Sequence, residues 1–129
     1  MSSPRLHNIK MVLVDDDKDV LEAMNTVLSA EGAITRCASD GNEAVTAVQE
    51  TSPDIVVLDM MLPGKSGFLV LEKIKGTPTS PAVIMLTANE GKRHQAYATS
   101  LGVDRYLLKP IPLDQLITVA AELAQARSR

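Results

Sequence analysis

Acid, acid, hydroxyl and cation punctuate this chain at wide intervals. Asp15 and Asp16 follow an apolar run at 9–14, Asp59 follows one at 55–58, Thr87 one at 83–86, and Lys109 one at 103–108. Any one of them alone could be a strand end or a helix cap. Gathered in one pocket, they form a reactive set. Carboxylates there would repel by about 4 kcal/mol for a pair roughly 4 Å apart at a surface-like dielectric, and a divalent cation relieves that repulsion. An oxygen-only donor set suits Mg2+, with Mn2+ as a substitute, and no His/Cys cluster is available for zinc. A carboxylate beside a metal can attack phosphorus. On that chemistry Asp59 is the phosphoryl acceptor and lies against the metal that Asp15 and Asp16 hold. Thr87 and Lys109 then pair with the phosphoryl oxygens after transfer.

Convergence depends on the elements in between. The apolar runs at 9–14, 34–38, 55–58, 83–86 and 103–108 alternate with five segments of helical period. That alternation predicts an α/β fold, a parallel sheet with helices on both faces. Asp59 then stands at the carboxyl end of a central strand, where open sheets of this kind place their ligand sites, before the chain breaks at Pro63-Gly64. In the doubly wound order 2-1-3-4-5, strands one and three are neighbours, so Asp15, Asp16 and Asp59 converge. The fifth strand lies roughly 10 Å from the third, a gap that a lysine can cross.

The helices carry their own start and stop signals. Asp17 is the expected N-cap of the first, with Val20, Leu21, Met24, Val27 and Leu28 on one face and Gly32 at its end. Thr35 and Arg36 mark the second strand as an edge. Asp40 and Glu43 have capping-box spacing, and Ser66 can cap a third helix that turns Leu71 and Ile74 inward. Lys73 and Lys75 are placed to favour the C-terminal dipole of that helix, ahead of Gly76. The fourth helix, about 90–101, has few large aliphatic residues to bury and is expected to be the easiest to move. The last opens near Pro112 and buries Leu113, Leu116, Ile117, Ala120 and Leu123.

Composition bounds the function. A chain of 129 residues suffices for one domain, expected at 9–126 with an extension at 1–8 and a tail at 127–129. Phe68, Tyr97 and Tyr106 are its only aromatics, so the core must be aliphatic. The net charge of −3 argues against nucleic acid as a direct partner. No apolar run nears the roughly 20 residues that span a bilayer, and 1–8 lacks the apolar stretch of a signal peptide. Cys37 is the single cysteine, read here as a small core residue, and a reducing cytoplasmic setting is expected. His7 falls in a segment expected to be mobile, and His94 on a solvated helix face that could equally border a partner-binding surface. Met60 and Met61 read as packing residues.

Taken together, VLVDDD at 12–17, PDIVVLDMMLPGKSG at 53–67, MLTA at 85–88 and GVDRYLLKPI at 102–111 resemble the receiver domain of two-component response regulators, of the chemotaxis type. The resemblance implies a flavodoxin-like fold and a phosphorylation-dependent signalling switch. Asp59 would take a phosphoryl group from a sensor histidine kinase or a histidine phosphotransfer protein. The backbone carbonyl of Met61 would complete the metal ligands Asp15, Asp16 and Asp59. Thr87 and Tyr106 would form the switch, Tyr106 turning inward as Thr87 moves, although an ordinary half-buried strand tyrosine fits the same position. Lys109-Pro110 resembles the family's cis peptide. The changing face would be the fourth helix, fifth strand and fifth helix, read by a downstream protein or output domain and open to dimerisation. Met61 and Asn89 fall where side chains tune the phosphoryl lifetime.

Rival readings are a phosphatase working through an aspartyl-phosphate and a binding module that is never phosphorylated. The first usually places its nucleophile after the first strand and needs a cap segment for substrate; the second leaves Thr87 and Lys109 without a task. Gly64-Lys65-Ser66 imitates the end of a P-loop, but position 59 is Asp where that motif requires glycine. The initiating Met1, and an end soon after the last helix, favour a stand-alone protein that catalyses only its own phosphorylation and dephosphorylation.

Overall fold

A computed structural model describes residues 4–63, 66–78, 80–88 and 91–127. Among them are β1 (Lys10–Val14), α1 (Lys18–Ala30), β2 (Ile34–Ala38), α2 (Gly41–Thr51) and β3 (Ile55–Asp59). The order continues with α3 (Gly67–Lys75), β4 (Ala82–Thr87), α4 (Lys92–Ser100), β5 (Arg105–Leu108) and α5 (Leu113–Arg127). The strands form one sheet in the order β2-β1-β3-β4-β5, every pairing parallel. The alternation of runs predicts the parallel sheet, and the strand order is the one the family resemblance implies.

Side-chain alternation along the strands divides the core into two layers. Met11, Leu13, Ile55, Val57, Ile84 and Leu86 face α1 and α5, where Met24, Leu28, Leu116 and Ala120 meet them. Their neighbours Val12, Val14, Val56, Leu58, Val83 and Met85 face the other way, onto Ala44 and Val48 of α2 and Val70, Leu71 and Ile74 of α3. Both faces of β3 and β4 are therefore buried, which is why those strands read as unbroken apolar runs. α4 contributes Ala98 as its one buried residue. Leu113 is only half-buried.

The caps form as their spacing predicts. Asp17 accepts from the backbone N–H groups of Asp19 and Val20, and Ser66 from that of Leu69. Asp40 accepts from Glu43 N–H, but the Glu43 carboxylate reaches back to the backbone and hydroxyl of Ser39, one residue before the cap. Gly32 follows α1 at φ 94°, a left-handed conformation that glycine adopts without strain.

Four expectations need correction or qualification. Cys37 is exposed, on the edge strand β2. Lys75 stands in the last turn of α3 as expected, but its ammonium also leaves the helix to bind Asp104 at 2.7 Å and the Pro81 carbonyl at 3.0 Å. The segment around His7 is held down. Leu6 is fully buried, its N–H donates to the Glu31 carbonyl, and that of Asn8 donates to the Gly32 carbonyl. The Met61 side chain is 69% exposed, whereas Met60 is buried as expected. Among the described residues, no helix is long and apolar enough to cross a membrane.

Candidate functional site

The carboxyl ends of β1, β3, β4 and β5 meet at one rim of the sheet. Val14 lies beside Leu58 and Asp59 beside Leu86, so the residues following β1 come next to the end of β3. Carboxylate oxygens of Asp15, Asp16 and Asp59 lie within 4.8 Å of one another. Asp15 is 1% exposed and Asp59 6%, while Asp16 faces solvent. Lys109 crosses from the end of β5 with its ammonium 2.8 Å from Asp15 Oδ2 and 3.4 Å from Asp59 Oδ2. The long side chain spans the gap that strand order predicts.

Local backbone holds each group in place. Asp15 Oδ1 accepts the Asp17 N–H at 2.9 Å, and Asp59 Oδ1 accepts the Met61 N–H at 3.2 Å. Lys109 N–H donates to the Thr87 carbonyl at 2.8 Å, tying two reactive positions through the backbone. Thr87 is fully buried, and its hydroxyl lies 3.8 Å from the Met60 sulfur. The Lys109-Pro110 peptide is cis. Tyr106 is half-buried, packed against the core layer that contains Met85 and Ala98.

Electrostatics make Asp59 the reluctant anion of the set. Burial pushes its pKa above the ordinary carboxylate range, and the nearby Asp15 charge adds to that. The Lys109 charge and the Met61 N–H pull it back only in part. Burial works against the Lys109 ammonium too, but its hydrogen bond to Asp15 and the two carboxylate charges outweigh it, and its pKa lies above the usual lysine value. Two of the three carboxylates, Asp15 and Asp59, pair with one lysine, so an oxygen-donor site with surplus negative charge stands open to a hard divalent cation.

Gly67 belongs to this site and escaped the sequence reading. A Cβ there would come within 2.6 Å of Met60 Cα, 2.7 Å of the Met60 carbonyl oxygen and 2.9 Å of that of Asp59. Its own N–H donates to the Met60 carbonyl at 2.9 Å. A glycine opening a helix directly after a serine cap was the available signal. His94 is half-buried among exposed neighbours, with its ring stacked on Phe68, a contact the sequence reading did not foresee. Gly64, Lys65, Asn89 and Glu90 lie outside the described residues, and with them the predicted chain break, the P-loop imitation, one lifetime position and the expected start of α4.

The family model of the response regulator receiver domain matches residues 11–121. The chain belongs to that family. The receiver domain of Francisella response regulator 1452 is 29% identical, with 95% of this chain and 100% of that one aligned and a TM-score of 0.85. The BeF3-activated DrrB receiver domain is 28% identical over 92% of this chain and 98% of its own, at a TM-score of 0.83. The fold recurs in a DNA-binding response regulator of the LuxR family from Staphylococcus aureus, 23% identical over 89% of this chain and 98% of that one, at a TM-score of 0.83. As a receiver domain, the chain is a signalling module of two-component systems that works through a phosphorylatable aspartate.

Proposed function

We propose that Asp59 is the phosphoryl acceptor of this receiver and that Asp15, Asp16, Asp59 and the Met61 backbone carbonyl hold Mg2+ or Mn2+. The observation that carries the reading is the Lys109 ammonium between Asp15 and Asp59, at 2.8 and 3.4 Å, inside a buried acidic cluster. An Asp59 oxygen forms the new bond to phosphorus as the P–N bond of a donor phosphohistidine breaks. The departing imidazole keeps the electron pair. The metal would offset the charge that gathers on the phosphoryl oxygens. Lys109 then exchanges part of its carboxylate pairing for a phosphoryl oxygen, and Thr87 turns from Met60 towards the same group.

The donor, a histidine kinase or phosphotransfer protein, has apolar surface to dock on beside the acceptor. A groove of 470 Å3 runs between Val20, Ala23 and Met24 of α1 and Pro110, Ile111 and Leu113, with Lys109 in its wall. On the output side, movement of Thr87 and Tyr106 reshapes the α4-β5-α5 face for a downstream protein or output domain, and that face could also pair two phosphorylated copies. The working compartment on this reading is the cytoplasm.

Labelling tests the assignment. A small phosphodonor with Mg2+ should add one phosphoryl group, excess chelator should prevent it, and Asp59→Asn should take none up. Equal labelling of Asp59→Asn would place the acceptor elsewhere. Lys109→Ala should slow uptake or uncouple it from any change in the output face, and wild-type behaviour in both respects would remove Lys109 from the site.

A further inference from the structure

We infer that a second mechanical link runs from the acceptor loop to α4 along its α3 side, an aromatic latch of Phe68, His94 and Tyr97 that opens when Asp59 is phosphorylated. The inference rests on the acceptor reading above. The link begins at Gly67, bonded to the Met60 carbonyl and seated against the backbone of Asp59 and Met60. Phe68 is the next residue. Its ring stacks on His94 with centroids 5.9 Å apart and planes 11° from parallel, and meets Tyr97 edge-on at 4.9 Å. A shift of the acceptor loop therefore reaches α4 through one rigid helical turn.

α4 is tied down at its C-terminal end, where Val103 N–H donates to the Ala98 carbonyl and Asp104 N–H to that of Val83. Asp104 Oδ2 also accepts from the Lys75 ammonium and from Val83 N–H, both at 2.7 Å, so this end is pinned to α3 and β4. At the N-terminal end, Gly91 has no side chain with which to cap. Lys92 and Arg93 stand in the first turn, where the helix dipole disfavours cations. Ala98, the one buried residue of the helix, lies beyond the middle. In the first half, the stack on Phe68 is the aromatic contact that holds α4 to α3.

That contact is finely balanced. Stacking favours the closed arrangement, but His94 Nδ1 is buried without a hydrogen-bond partner, and an unsatisfied polar atom pulls the other way. Releasing the ring would return Nδ1 to water, with the pinned C-terminal end as the pivot. Such an element can sit in either of two positions and be biased from the acceptor site.

Coupling of this kind is reciprocal: if phosphorylation opens the latch, opening the latch must favour the phosphorylated form. Beryllofluoride with Mg2+ serves as the probe. His94→Ala and Phe68→Leu, each checked for a cooperative melt, should bind it about two- to tenfold more tightly than the wild type, the range an aromatic pair sustains. The double variant should gain less than the product of the two single gains. His94→Phe, which keeps the stack and removes the orphaned nitrogen, should bind the probe more weakly. Unchanged or weaker binding by both His94→Ala and Phe68→Leu would overturn the latch while leaving Asp59 as acceptor. A wild-type chain that fails to bind the probe would overturn both readings.

Discussion

As the proposed acceptor, Asp59 combines two demands that oppose each other at the scale of a single side chain. Acceptor chemistry needs a carboxylate, and burial beside Asp15 disfavours one. An acid whose pKa is higher folded than unfolded loses native-state stability as pH rises from the unfolded value through the folded one, and the loss is complete above the folded value. Asp59→Asn removes the charge while keeping the shape. In the absence of metal, that variant should melt at a higher temperature than the wild type at pH 7, and the gap should close on acidification. Adding Mg2+ should stabilise the wild type and leave the variant nearly unmoved. A variant that melts lower would mean that pairing with Lys109 already outweighs the burial of the carboxylate. For Lys109 the sign is reversed: its raised pKa contributes stability that is complete at neutral pH and is lost only as pH climbs through the folded value.

Elements act on the site through how closely they pack. α3 starts against the acceptor loop because residue 67 has no side chain, and the nearest atoms to a Cβ there are backbone, which cannot rotate aside. Gly67→Ala should therefore displace either the first turn of α3 or the loop carrying Asp59 and Met61. Overpacking of this type costs about 1–3 kcal/mol. The measurable result is a lower denaturation midpoint together with slower phosphoryl uptake from a small donor. Ser66→Ala, which removes only the cap, should cost about 1 kcal/mol and leave uptake close to normal. A Gly67→Ala protein with wild-type stability and uptake would show that the close approach can relax without consequence.

At the scale of the whole molecule, the sheet has a chemical end and a structural end. Carboxylates, hydroxyl and ammonium gather where the strands finish, and the opposite end is closed partly by the segment before β1. Arg5 donates from its backbone and side chain to Glu31 and reaches the Thr118 hydroxyl of α5, and Leu6 between them is fully buried. The segment thus clasps the α1–β2 turn to α5. Leu6→Ala should lower the unfolding free energy by about 2–5 kcal/mol, the usual range for a buried leucine. The acidic site lies at the other end of the sheet, so phosphoryl uptake measured well below the melting temperature should stay near wild type. A loss of about 0.5 kcal/mol or less would mean that the clasp is ornamental.

The order of elements, the parallel sheet and the polar groups at its strand ends could all be read from the chain, because each depends on local pattern. Buried parallel strands must be apolar on both faces, strand ends in such a sheet carry the polar groups, and Asp17, Asp40 and Ser66 announce their helices by cap chemistry. Contacts between distant segments left no comparable trace. Lys75 was placed by the rule for its own helix, yet Asp104 and Pro81 claim it across space. Cys37 was judged by residue type, but the edge position of its strand leaves it exposed. His94 followed charged neighbours into an expected solvated face, and only the approach of α3 brought Phe68 over its ring. Gly67 matters through the backbone of a loop that sequence spacing alone could not bring against it. Periodicity and capping are properties of neighbouring residues, so the chain by itself determined the elements and the kinds of groups at their ends. Which side chains meet across those elements is a property of packing, and only the tertiary structure decided it.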